Sequence, residues 1–103
     1  MDLADSLQKA RDLYFAGQFL EALEIWNRLS DAGDVESKAW IGSCYANGDG
    51  VALDDKIALK FFEEAAEAGN ALAQANAGAF YFMGRGTSKN FEKAVEWLEL
   101  AAS

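Results

Sequence analysis

Histidine and proline are absent from this 103-residue chain, and cysteine occurs once. Without histidine the commonest general base and the commonest metal ligand are gone, and no Ser–His pair for acyl transfer can be assembled. Cys44 has no partner for an intramolecular disulfide and no His to activate it. One residue before Tyr45 in a helical pattern, it reads as a small buried hydrophobe. No Cys/His cluster suggests zinc, and Asp49, Asp54 and Asp55 do not have EF-hand spacing. The sequence therefore predicts no enzyme, no cofactor and no metal. Positive charge is scarce too: nine Lys and Arg stand against 17 Asp and Glu, a net charge of −8. Such a surface repels phosphate, so nucleic acid and anionic membranes are poor partners. A basic protein would be attracted, and the same charge also serves plain solubility. No apolar run is long enough to span a bilayer. The N-terminal Met1-Asp2-Leu3-Ala4-Asp5 lacks the basic start and apolar run of a signal peptide, which makes the cytoplasm the expected compartment.

What the chain does hold is core material. Seven Phe, three Tyr and three Trp within 51% apolar residues suffice for one compact domain, despite the charge. Ala and Leu are the commonest residues and Glu is frequent, and these lose little on entering a helix. Shifted by 36 residues, the sequence falls on itself: Gly42 on Gly78, Tyr45 on Tyr81, Gly48 on Gly84, Gly50 on Gly86, Ala58 on Ala94, Phe61 on Trp97, and Ala65-Ala66 on Ala101-Ala102. The first third joins late, with Ala22 on Ala58, Ile25 on Phe61, Trp26 on Phe62 and Gly33 on Gly69. Aligning Tyr14 with Tyr45 makes its inter-helix turn about five residues shorter.

Each unit reads as helix, turn, helix. Leu7, Ala10, Leu13 and Tyr14 lie at helical spacing within 5–15, and Leu20, Leu23, Trp26 and Leu29 resume it within 19–29. Ala39, Trp40, Ile41 and Tyr45 mark a third helix within 35–46. Gly48-Asp49-Gly50 signals a turn, Asp54 stands at an N-cap ahead of Ile57, Leu59, Phe61 and Phe62, and Gly69 at a helix C-terminus. A fifth helix is predicted over 71–83, then Gly84-Arg85-Gly86, the cap Asn90 and a sixth helix over 91–102. Gly42 and Gly78 sit mid-helix, where Gly costs roughly 1 kcal/mol against Ala. Close approach of a neighbouring helix bearing Ala58, Ala65 and Ala66, or Ala94, Ala101 and Ala102, offsets that cost. Trp26, Phe61, Phe62 and Trp97 are the expected core fillers between pairs.

The run Gly42-x-x-Tyr45-x-x-Gly48-x-Gly50-Val51-x-x-Asp54-x-x-x-Ala58, with Phe61, Ala65-Ala66 and Gly69, resembles a Sel1-like repeat. Gly78-x-x-Tyr81-x-x-Gly84-x-Gly86, with Asn90, Ala94, Trp97 and Ala101-Ala102, resembles a second copy, in which Thr87 replaces the usual Val and Asn90 the usual Asp. Leu13-Tyr14-x-x-Gly17-x-Phe19-x-x-Ala22-Leu23-x-x-Trp26 is closer to a tetratricopeptide repeat. The expected architecture is an all-α, αα-hairpin repeat solenoid of six helices in three pairs. Residues 1–103 would form a single repeat domain: a tetratricopeptide-like unit over 1–34 and Sel1-like units over 35–70 and 71–103.

The resemblance implies a right-handed superhelix whose first helices line a concave groove, and a protein–protein interaction role. Carried onto this sequence, the groove positions are Arg11, Tyr14 and Phe15, then Ser43, Ala46 and Asn47, then Ala79, Phe82 and Met83. Aromatics and Met at both ends would contact a protein or peptide partner, or Tyr14, Phe15 and Phe82 would pack inside the superhelix. Two other roles fit the composition: a small acidic inhibitor or immunity protein that neutralises a basic toxin or enzyme, and a self-associating adaptor. The second rests on the last helix, whose Phe91, Val95, Trp97, Leu98 and Leu100 leave it apolar over much of its circumference where solenoid ends normally turn polar. A homo-oligomer through that helix is the corresponding expectation.

Overall fold

Short polar side chains start most of the helices. In the computed structural model, which describes residues 1–103, Asp2, Asp34, Asp54, Asn70 and Asn90 each accept a hydrogen bond from a first-turn backbone N–H. Each satisfies a donor that the helix itself cannot. They open α1 (Leu3–Phe15), α3 (Val35–Asn47), α4 (Asp55–Glu67), α5 (Ala71–Met83) and α6 (Phe91–Ala102); α2 (Phe19–Asp31) follows Gln18 without a side-chain cap. There are no strands, and the fold is an all-α helical-hairpin repeat superhelix.

The two long turns are copies of one another. Gly48 and Gly84 close α3 and α5 in the left-handed conformation, both at φ 73°. The N–H of Asp54 donates to the Tyr45 carbonyl at 3.0 Å, and that of Asn90 to the Tyr81 carbonyl at 2.9 Å. Each cap residue is thus tied to the helix before it, which fixes where the next helix begins.

The first connection is shorter: residues 16–18 join α1 to α2, against 48–54 and 84–90 in the other two pairs. The difference is four residues, not the five expected. The caps Asp2 and Asp34 stand 32 positions apart and open helices of 13 residues each. The position equivalent to Tyr45 is therefore Leu13, and Tyr14 takes the place of Ala46. Ala10, fully buried, does in α1 what Gly42 does in α3.

The helices meet where side chains are smallest. A Cβ built on Gly42 would stand 2.8 Å from the Phe62 ring and 3.3 Å from the Ala58 carbonyl oxygen. On Gly78 it would stand 2.8 Å from Leu98 Cγ and 3.1 Å from the Ala94 carbonyl oxygen. Close approach is therefore the reason for both mid-helix glycines. One apolar cluster joins the first two pairs through Ala22, Leu23, Trp26, Ile41 and Cys44, and a second joins the last two through Leu59, Phe62, Ala77, Phe80 and Tyr81. Ala39, Ala65, Ala66 and Ala73 form a flat seam between α3, α4 and α5. Of the expected core fillers, Trp26 and Phe62 are buried, while Phe61 and Trp97 are half-buried at the rims of these clusters. Burial pushes the Cys44 thiol up to about 12, with the Asp49 charge adding to the effect, so it stays protonated.

Candidate interaction groove

Helices α1 and α3 are tied to one another by side-chain bonds on the side where the expected groove residues lie. Arg11 Nη1 on α1 donates to Glu36 Oε2 on α3 at 2.7 Å. The same oxygen accepts from Trp40 Nε1 at 3.3 Å, and Arg11 Nη2 donates to Gln8 Oε1 at 2.9 Å. The Trp40 ring stacks on buried Trp26, 4.9 Å between centroids and 5° between planes. Tyr14 lies among Phe15, Phe19, Trp26 and Trp40, with centroids 5.1–5.7 Å from its own. Such aromatic pairs add to their burial through edge and offset geometry.

The Tyr14 hydroxyl donates to Asp49 Oδ2 at 2.6 Å. Burial, then this hydrogen bond and the carboxylate charge, push Tyr14 up to about 12 from its ordinary value near 10, against a smaller lowering by Asn47. A raised folded-state value stabilises the fold below pH 10, and that contribution is lost as pH rises toward 12. Tyr14→Phe is therefore expected to flatten part of the loss of stability between pH 10 and 12, measured as urea midpoints across that range. An unchanged slope would remove Tyr14 from that role. Tyr81, also raised by burial and by its 2.8 Å bond to Glu63, accounts for a further part of the slope.

The expected groove residues divide into two sets. Arg11 and Tyr14 are half-buried and engaged by neighbours, as are Ser43, Ala46 and Ala79 in the walls. Phe15, at 74% exposure, Phe82 at 58% and Met83 at 49% are open to solvent, and Asn47 is exposed between them. Phe15 meets Tyr14 and Trp40 edge-on and Phe82 packs on Phe91 at 5.3 Å, each ring leaving much of its surface to solvent. Three residues were not foreseen. Trp40, Glu36 and Leu72 line a small depression of about 50 Å³ together with Ala39, Ser43 and Asn70, a space for one small side chain. They lie three or seven positions before Ser43 and Ala79 on the same helix faces, which is the spacing that could have found them.

The family model described as Sel1 repeat matches residues 35–70 and 71–103. The chain belongs to the Sel1 repeat family. The fold is shared with a Sel1 repeat protein from Oxalobacter formigenes, at 33% identity and a TM-score of 0.86, over 93% of this chain and 39% of that one. It is also shared with a protective antigen present in uropathogenic Escherichia coli strains, which displays an SLR fold, at 25% identity and a TM-score of 0.83. That match covers 93% of this chain and 22% of the antigen. The chain therefore spans well under half the length of either structure.

In both Sel1 repeats the residue between the turn glycines reaches back to the preceding pair. Asp49 accepts from Tyr14. Arg85 binds Asp55 Oδ1 through Nε at 3.2 Å and Nη2 at 2.7 Å, donates to the Ala46 carbonyl at 3.0 Å, and lies over the Phe80 ring at 4.4 Å. With its guanidinium so engaged, the Gly84-Arg85-Gly86 turn offers no phosphate cradle. On the opposite face a broad, shallow depression of about 440 Å³ is lined by Lys56, Lys60, Glu63, Glu64 and Glu67, charges of both signs, beside Leu59 and Tyr81. No helix is long and apolar enough to cross a membrane.

Proposed function

We propose that this chain is a non-catalytic protein-interaction module that holds a segment of a partner protein along the face made by α1, α3 and α5. Sel1 repeats generally serve protein–protein interaction. The observation that carries the reading here is the pattern of exposure. Phe15 stands open at one end of the face, Phe82 and Met83 at the other, and half-buried Trp40 lies between them beside the small depression. Aromatic and Met side chains around a central anchor are what interface cores use. Asn47 can donate to and accept from a partner backbone. Arg11, Tyr14, Ser43 and Ala79 form the supporting walls, and the three helix pairs act as one repeat domain.

A photo-crosslinking residue placed at Ser43 is expected to capture a partner in host extract, and the same residue at Lys60 on the opposite face is not. The captured band should disappear in Phe15→Ala/Phe82→Ala, with the helical circular dichroism unchanged. Capture from Lys60 alone, or a band that survives both substitutions, would remove the groove as the site.

The net charge of −8 favours one narrower reading, in which the partner is a basic toxin or enzyme that this chain inhibits. Its association rate should then fall as salt rises.

A further inference from the structure

The acidic charge of this chain is not shared evenly among its helices. In each pair the second helix carries an excess of two acidic residues: Glu21, Glu24 and Asp31 against Arg28 in α2, four against two in α4, and three against one in α6. The first helices are balanced. Asp5 and Asp12 match Lys9 and Arg11 in α1, Glu36 matches Lys38 in α3, and α5 has no charged residue. The helices that supply the groove residues are thus the neutral ones in a protein of net charge −8.

A row of large apolar side chains crosses these helices, one from each. Phe15 of α1 meets Trp40 of α3 edge-on at 6.0 Å between centroids, and Trp40 lines the small depression together with Leu72 of α5. Phe15 is 74% and Leu72 64% exposed. Neighbouring units do not close such positions. Their counterparts in the middle unit, Asn47 and Glu36, remain accessible with a helix pair on either side.

The polar groups around the row suit a neutral occupant. Glu36 is the one charged residue lining the depression, and its Oε2 is already engaged by Arg11 and Trp40. A charged side chain laid here would lose water and find no free counter-charge. Ser43 and Asn70 stand at the same depression. Asn70 Oδ1 accepts from the Ala73 N–H at 2.8 Å, which leaves the Asn70 amide N–H groups to donate to a backbone carbonyl. The depression itself, about 50 Å³, admits one small side chain.

We infer that the segment held here is extended and uncharged, with apolar residues at alternate positions and the middle one small. In an extended backbone residues i, i+2 and i+4 share a face. The first rests against Phe15 and Trp40, the second enters the depression, and the third covers Leu72. This inference rests on the groove reading above and narrows its occupant.

The test titrates the isotope-labelled 103-residue chain with four end-capped synthetic peptides, in salt that screens the surface charge. The first alternates Leu and Ser with Ala at its centre. The second has Trp at that centre, and the third and fourth carry Lys or Glu in place of the outer Leu residues. The first is expected to bind about fivefold or more tightly than any of the others, shifting the Trp40 indole N–H and the Ser43 and Leu72 amides. Its affinity should change by less than about twofold when the salt is lowered. Leu72→Glu, at an exposed position that keeps the fold, should weaken it about fivefold or more and make the Lys peptide the preferred ligand. Equal or tighter binding of the Lys or Glu peptide overturns the neutrality of the site, and equal binding of the Trp-centred peptide overturns the small middle residue. If no peptide moves the Trp40 signal, the inference fails. The photo-crosslink at Ser43 then separates the two failures: capture that persists leaves the groove reading with a different occupant, and its loss removes the groove as well.

Discussion

Gly86→Ala is expected to destabilise the third helix pair by about 3–4 kcal/mol, while Gly69→Ala costs only about 1 kcal/mol. Both glycines have positive φ, 70° and 96°, so both substitutions carry the backbone strain of a Cβ in the left-handed region. The space around them differs. Nothing lies within 4 Å of a Cβ on Gly69. On Gly86 it would fall on the carbonyl oxygen of Asp55, with the Lys56 nitrogen 3.1 Å away. These are backbone atoms at the start of α4 and cannot swing aside. The turn would lift, and Arg85 would lose its grip on Asp55 and Ala46. In a repeat array, stability is shared between units and the interfaces joining them. Urea unfolding followed by Trp fluorescence and circular dichroism should therefore split into two transitions for Gly86→Ala and remain single for Gly69→Ala. Equal midpoints would show that this turn does not lock the units together.

Phe62→Ala is expected to cost about 3–5 kcal/mol, the range for deleting a fully buried aromatic. Phe62 is 2% exposed, meets Phe80 edge-on at 5.3 Å, and fills the hollow that Gly42 leaves in α3. Gly42→Ala alone drives a methyl into that ring, and its overpacking of about 1–3 kcal/mol is only partly offset by the gain of about 1 kcal/mol in helix propensity. In the double variant the methyl enters the cavity instead of a ring. The two effects should then fall short of their sum by about 1 kcal/mol or more, measured from urea midpoints of the two single variants and the pair. Additive effects would mean that Gly42 is not there for Phe62.

Much of this arrangement is readable from spacing. The 36-residue offset placed the caps Asp54 and Asn90, and the helices over 71–83 and 91–102 end where the structure ends them. The mid-helix glycines announced close approach because nothing else repays their cost twice at one offset. The shift in the first unit was misplaced by one residue. Tyr14 and Leu13 are neighbours, both fit a helical pattern, and only the cap at Asp2 reveals that Leu13 is the counterpart of Tyr45. Trp40 stayed hidden because α3 packs against both neighbours and its polar residues, Glu36, Ser37, Lys38 and Ser43, are spread around it, so periodicity does not separate its groove face from its core face. Glu36 and Asp49 read as surface charges; their roles depend on residues 25 and 35 positions away. Contacts at that distance leave no local periodicity.

The ties made by the Gly-x-Gly turns all point one way along the chain. Asp49 reaches Tyr14, Gly50 packs against Phe19, and Arg85 and Gly86 meet Asp55. Each belongs to a later pair and finds its partner in an earlier one. During synthesis, when N-terminal segments fold first, every pair therefore emerges onto a surface that is already formed. Each new pair closes the apolar face left open by the one before it, as Trp40, Ile41 and Cys44 cover Trp26 and as Ala77 and Phe80 cover Phe62.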